Sequence, residues 1–255
     1  MLAATVTGML LPFIGTAAGS GAVFVMEMDG RAGFADCLAG FAGGVMLAAS
    51  VWSLLIPSFE YSASLGRLAF APSVAGFLLG IVFMLICEGL IDKLSFGGGV
   101  NFTKSSLVTA FAVTVHNIPE GMAVGMVYAA LLSGSDSKAL VGALSLSIGI
   151  ALQNIPEGMV IVGPMLAAGV SPRRTFLCAL FTGLIEVVGT FIGYYSITIT
   201  SVILPFALAF AGGTMLYVIS DEMIPETHAH GSERGATYAL LAGFCVMLIT
   251  DTVFG

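Results

Sequence analysis

The chain has 255 residues, 58% of them hydrophobic and 9% charged, with a formal net charge of −7. A soluble domain carries about 25% charged residues, so this composition excludes a surface that meets water throughout and makes lipid part of the solvent. There is no run of Lys and Arg, which argues against nucleic acid as a partner.

Stretches of about 20 mostly apolar residues, long enough to cross a bilayer as a helix, fall at roughly 3–26, 35–57, 72–92, 106–130, 139–167, 174–198, 202–221 and 236–254. The first contains MLAATVTGMLLPFIGT with no Lys or Arg ahead of it, unlike a secretory signal, and is read as a retained span. Short polar breaks separate the spans, among them SFEYSASLGR, SPRR, TITS and DEMIPETHAHGSER. Nothing outside the spans is long enough for a further domain. The expected fold is therefore all-α, one transmembrane domain over 1–255 with eight spans. Cys37, Cys87, Cys178 and Cys245 each stand alone in apolar sequence, and are expected to be small buried side chains without disulfides or a metal.

Lys and Arg set the orientation. Arg31, Lys93, Lys104, Arg173, Arg174 and Arg234 follow spans 1, 3, 5 and 7, whereas the opposite side has Arg67 and Lys138. This bias places the first group in the cytoplasm and both termini outside.

Two motifs repeat. His116-Asn117-Ile118-Pro119-Glu120-Gly121 lies mid-span in span 4, and Gln153-Asn154-Ile155-Pro156-Glu157-Gly158 in span 5. The spans are antiparallel, so the motifs can meet near the midplane. A weaker pair, Phe41-Ala42-Gly43-Gly44-Val45-Met46-Leu47 in span 2 and Phe210-Ala211-Gly212-Gly213-Thr214-Met215-Leu216 in span 7, suggests that spans 1–3 and 6–8 form an inverted repeat around spans 4 and 5, a recurring transporter design. Small residues at close helix contacts are the alternative explanation of that second pair.

Glu120, Glu157 and Glu186 all sit deep in their spans. A charged side chain there costs roughly 2.5–3.5 kcal/mol, which a divalent cation or an aqueous cavity offsets. His116 and Glu120 are four residues apart and share a helix face, as do Gln153 and Glu157. Asn117 and Asn154 border those faces. Pro119 and Pro156 each remove an amide donor and free a carbonyl one turn earlier. Oxygen ligands with one imidazole suit Zn²⁺, Fe²⁺, Mn²⁺ or Cd²⁺, and two bridging carboxylates suit two neighbouring ions. Met46 offers a thioether from span 2. Glu60 and Asp251 lie at the outer ends of spans 2 and 8, where they can concentrate cations at an entrance. Asp221, Glu222, Glu226, His228 and His230 follow span 7 and are candidates for an exit.

At these residues the chain closely resembles the ZIP (Zrt/Irt-like) divalent-metal transporter family, in its bacterial GufA-type branch. HNIPEG followed one span later by QNIPEG carries the resemblance, and eight spans extend it over the whole chain. The resemblance implies a 3+2+3 arrangement in which helices 1, 4, 5 and 6 move against 2, 3, 7 and 8. It implies a metal centre of His116, Asn117 and Glu120 with Gln153, Asn154 and Glu157, a second metal position completed by Glu186, and Met46 as the span 2 contributor to the first. Gln153 departs from the family pattern, since many members have His there. The expected activity is movement of Zn²⁺, with Fe²⁺, Mn²⁺ and Cd²⁺ as further substrates, into the cytoplasm. The expected setting is a plasma membrane, a bacterial inner membrane, with metal ions and lipid as partners and a homodimer as a further option. The competing class is an intramembrane metal-dependent hydrolase, but there is no HExxH, and His116 is the one histidine inside a span. An organic-solute carrier would need cationic or aromatic groups at depth, and all Lys and Arg lie near span boundaries.

Overall fold

A computed structural model describes residues 2–24, 32–93, 104–133, 137–228 and 233–254. They contain helices and no strand, as lipid requires of an open chain: with no water to bond to, each amide and carbonyl must be satisfied within its own segment. Eight helices are long and apolar enough to cross a membrane. They are α1 (Leu2–Ser20), α2 (Ala32–Ala49), α3 (Phe70–Lys93), α4 (Lys104–Ser133), α5 (Ser137–Ala167), α6 (Pro172–Tyr195), α7 (Ile197–Val218) and α8 (Glu233–Phe254). The all-α, polytopic character read from the sequence is what the structure shows. The spans containing α2, α4 and α7 are 56%, 61% and 61% buried, against 17% for α3 and α8, so the first three are central and the last two peripheral.

The boundary between α6 and α7 differs from expectation. The break falls at Ser196 (φ −120°, ψ 36°), and α7 already runs through the threonines expected to form the loop. Threonine hydroxyls can bond carbonyls of the preceding turn, so a Thr-Ile-Thr stretch without charge continues a membrane helix. The cysteines also differ: Cys37, Cys87 and Cys178 are half-buried and Cys245 is exposed, all as free thiols. A thiol behaves as a small apolar group, and a bilayer does not require it to be inside.

Glycine sets how the helices associate. A side-chain carbon on Gly15 or Gly19 would strike the backbone of Ala151 or Ile155, which locks α1 against α5. Gly121 and Gly125 meet the backbone of Glu186 and Thr190, pairing α4 with α6; Gly40 and Gly44 meet Ala236 and Leu240, pairing α2 with α8; Gly76 and Gly80 meet Phe206 and Phe210, pairing α3 with α7. Small residues four apart allow such close approach in membranes. The contacts obey an exchange rule. Gly158 lies on Thr16 and Ser20 as Gly121 lies on Glu186 and Thr190, and Gly44 lies on Leu240 as Gly213 lies on Phe77.

Two helices change pitch near one end. After Ala49, residues Ser50–Leu55 form a π-helical segment, then Ile56–Tyr61 resume the α form; after Val218 the π segment Ile219–Met223 precedes Ile224–Thr227. Each widened turn is followed by Ile-Pro. Pro57 and Pro225 lack the amide that would bond Ser53 and Asp221, and instead the amides of Ile56 and Ile224 reach five residues back, to Val51 and Ile219. A short 3₁₀ segment Ala63–Leu68 follows, turning at Gly66 with φ 58°, a conformation glycine adopts freely.

Gly44→Leu is expected to lower stability by about 1–3 kcal/mol through overpacking against a helix backbone. Gly142→Ala, which meets open space, is expected to leave it unchanged or raise it. Monodisperse protein remaining after a heating series would check this, and equal melting of Gly44→Leu and the parent would refute the backbone contact.

Candidate metal centre

The two central helices bring their motifs together. His116 Nε2 lies 3.2 Å from Glu120 Oε1 and 3.6 Å from Glu157 Oε2, with all three side chains buried. One ligand atom from each lies within 4.8 Å of the other two. Zinc bonds to nitrogen and oxygen of about 2.0–2.1 Å in tetrahedral array separate neighbouring ligands by about 3.3 Å. The two separations from His116 bracket that value and the third side is within 4.8 Å, a size that suits one divalent ion.

The asparagines are anchored by their donors. Asn117 Nδ2 donates to Thr182 O at 3.0 Å; Asn154 Nδ2 donates to Pro12 O at 3.3 Å and to Glu186 Oε2 at 2.8 Å. Asn117 reaches α6 as Asn154 reaches α1, by the same exchange that governs the glycines. With the donors held, the amide oxygens are left as acceptors. Among the described residues, Asn117 Oδ1, Asn154 Oδ1, Glu120 Oε2, Glu157 Oε1, Glu186 Oε1 and His116 Nδ1 are buried and carry no hydrogen bond. Orphaned oxygens of this kind are costly in a protein interior, and a cation is the partner the five oxygens suit. Gln153 Nε2 donates to Glu120 Oε1, while Ser53 Oγ donates to Gln153 Oε1 at 3.1 Å.

A cavity of about 330 Å³ connects this centre to one end of the bundle. Its wall includes Trp52, Ser53, Glu60, Glu120, Gln153 and Asp251. The two carboxylates named from sequence as an entrance thus share one cavity with the centre. On the other side lies a buried apolar cluster of Met46, Met84, Ala112, Val160, Met215 and Met223 with their neighbours. Met46 is buried there, among residues one turn beyond His116 and Glu157.

Toward the opposite end, Asp221 and Glu222 gather with Glu88 of α3, their ligand atoms within 4.8 Å, and Tyr217 OH donates to Glu88. Glu88 sits in the last turns of α3, and nothing in its sequence spacing points to α7. His228 is exposed, with Nδ1 2.7 Å from Ile224 O and Nε2 3.3 Å from Thr237 Oγ1, contacts that close the end of its helix. Glu226 lies in Ile224–Thr227, but its side chain and all of His230 fall outside the described residues. Sequence reasoning also missed Ser53, whose signal was its place four residues before Pro57.

Comparison with known proteins matches residues 97–251, both motifs included, to the family described as ZIP Zinc transporter. The zinc transporter GufA of Myxococcus xanthus is 39% identical over 252 residues, covering 94% of this chain and 96% of its own length. The chain belongs to the ZIP zinc transporter family. Zinc transporter ZIP11 of Xenopus tropicalis is 31% identical, covering 97% of this chain and 96% of its own, and zinc transporter ZIPB of Bordetella bronchiseptica is 33% identical over 86% and 72%. ZIP proteins are transporters rather than enzymes, which sets aside the hydrolase alternative.

Glu120→Gln and Glu157→Gln each keep side-chain size while removing a negative ligand. Each is expected to weaken Zn²⁺ binding at least tenfold, about 1.4 kcal/mol, in calorimetric titration of the purified protein. Parent affinity in a folded double variant would take both carboxylates out of the ligand set.

Proposed function

We propose that this ZIP-family chain carries Zn²⁺ across the plasma membrane into the cytoplasm, through the midplane centre of His116, Glu120 and Glu157. The observation that carries the reading is the convergence of one imidazole and two carboxylates within 4.8 Å, beside a cavity that Glu120 lines. The ion enters past Glu60 and Asp251, loses water along a partly apolar wall, and binds where fixed charge replaces its hydration. The further substrates are Fe²⁺, Mn²⁺ and Cd²⁺, which the same ligand types accept. Asn117, Asn154 and Glu186, with the second oxygens of Glu120 and Glu157, supply a neighbouring second metal position; their unbonded oxygens support it. Gln153 borders the first position and acts on it through Glu120, to which it turns its amide nitrogen. Met46 acts at the boundary of the centre, where its unbranched side chain can yield. Asp221, Glu222 and Glu226, with His228 and His230, receive the ion on release, and Glu88 belongs with them. We take both termini to be outside, following the Lys and Arg bias.

The exchange rule supports an inverted repeat relating α1–α3 to α6–α8 and α4 to α5. Its movement is of α1, α4, α5 and α6 against α2, α3, α7 and α8. The glycine-locked pairs α1–α5 and α4–α6 belong wholly to one group, and α2–α8 and α3–α7 to the other. Between the groups lie apolar clusters rich in methionine, such as Met46, Met84, Met215 and Met223 with Val108 and Val160, and Leu54, Leu204 and Leu208 with Met122. Methionine adapts to irregular surfaces, as a sliding boundary needs.

In proteoliposomes, Glu120→Ala or Glu157→Ala is expected to remove more than nine-tenths of Zn²⁺ uptake, measured beside Fe²⁺, Mn²⁺ and Cd²⁺ under a fixed pH gradient. Normal uptake by a well-inserted double variant would overturn the reading. Orientation has its own check. A cysteine at position 230, in a background lacking the four native ones, is expected to resist an impermeant thiol reagent in intact cells, and ready labelling would invert entrance and exit.

A further inference from the structure

The two helix groups are each held together by directional contacts. Asn117 to Thr182, Asn154 to Pro12 and Glu186, and Tyr128 to Ser147 lie within one; Ser58 to Ser73 and to Pro205, and Tyr217 to Glu88, lie within the other. The hydrogen bond from Ser53 to Gln153 differs, because it joins α5 of the first group to the π segment that extends α2 in the second. The apolar clusters that otherwise fill this boundary can slide without losing contact. A hydrogen bond cannot, since it weakens steeply once displaced or misaligned.

Chemistry fixes which way round this bond is made. Gln153 donates its amide nitrogen to Glu120, a carboxylate that can only accept when ionised. The amide oxygen must then face away from Glu120, toward α2. Ser53 is the hydroxyl that meets it. Pro57, four residues on, deprives the Ser53 carbonyl of its ordinary amide partner and widens the turn there. Ser53, Gln153 and Glu120 all line the cavity that opens beside Glu60 and Asp251.

We propose that Ser53 is a latch: its hydrogen bond to Gln153 holds the two helix groups in the conformation whose cavity opens at Glu60 and Asp251, and it breaks when the groups slide. Ser53 is a positioning residue, acting through Gln153. The inference rests on the transport reading above. Without the latch the cavity-open conformation is less populated, so a site deep in the cavity becomes harder to reach from that side.

The test uses the full-length protein in proteoliposomes, lacking the native cysteines, with one reporter, Ala123→Cys, on the deep cavity wall. A second reporter, Thr250→Cys near the mouth, controls for local effects. Labelling by an impermeant maleimide is followed without metal. Ser53→Ala is expected to slow labelling at position 123 by about two- to tenfold, the range set by losing one neutral hydrogen bond, and to leave position 250 unchanged. Ser53→Thr keeps the hydroxyl and is expected to restore the parent rate. Gln153→Leu is expected to match Ser53→Ala, and the double variant to be no slower than either alone, as a shared interaction requires. Parent labelling rates in Ser53→Ala, with parent Zn²⁺ uptake intact, would overturn the latch and leave the transport reading standing. Absence of uptake by the parent would instead overturn the transport reading itself.

Discussion

Three carboxylates buried among membrane-spanning helices set the terms for the rest of the molecule. Glu120, Glu157 and Glu186 are each at most 2% exposed, in surroundings where an isolated charge is strongly disfavoured. Each is held by something specific. His116 stands between Glu120 and Glu157, Asn154 donates to Glu186, and Gln153 donates to Glu120. The asparagines of the two motifs have anchors of their own, Asn154 on the carbonyl of Pro12 and Asn117 on that of Thr182. The glycines that draw α1 and α6 against α5 and α4 bring those carbonyls within reach. Close helix contact and buried charge are therefore one construction.

The two kinds of contact divide the labour. Backbone-to-backbone contact at glycine is rigid, because no rotamer can relieve a collision with a helix backbone. Methionine and leucine surfaces are forgiving, because their attraction has little direction. Among the described residues the first kind stays inside each helix group, and the boundary between the groups is filled chiefly by the second. That distribution is what a bundle needs if it is to keep a metal site intact while one half moves past the other.

Much of this was legible in the sequence. Eight spans followed from hydropathy, since nothing but a helix satisfies its backbone in lipid. The pairing of Glu120 with Glu157 followed from two motifs in antiparallel spans, and the His116–Glu120 contact from a spacing of four. Glu60 and Asp251 were assignable to one end, although that they share a cavity with Gln153 required coordinates. Other features were hidden for physical reasons. Ser53 meets Gln153 across 100 positions of sequence, and no local pattern encodes a contact that two separately packed helices create. The FAGG motifs suggested a repeat, with close packing as the alternative, and Gly44 and Gly213 within them do make close backbone contacts. Ser196 ended α6 earlier than expected because threonine is at home in a lipid-bound helix. The cysteines were misjudged by a rule for soluble proteins, in which a small apolar residue has nowhere to go but inside.

The backbone exchange has a consequence for direction. Positions matched by the glycine contacts, the two motifs and the two π segments carry different chemistry: Thr16 answers Glu186, Gln153 answers His116, and the π segment with Ser53 answers the one with Asp221 and Glu222. Under the proposed inverted repeat the scaffold would treat both faces of the membrane nearly alike, and rectification would be written in side chains. Neutral groups stand in the turn beside the cavity and acids in its counterpart at the far end. A handful of substitutions at these matched positions, with no change in the path of the chain, would be enough to retune how readily the ion travels one way rather than the other.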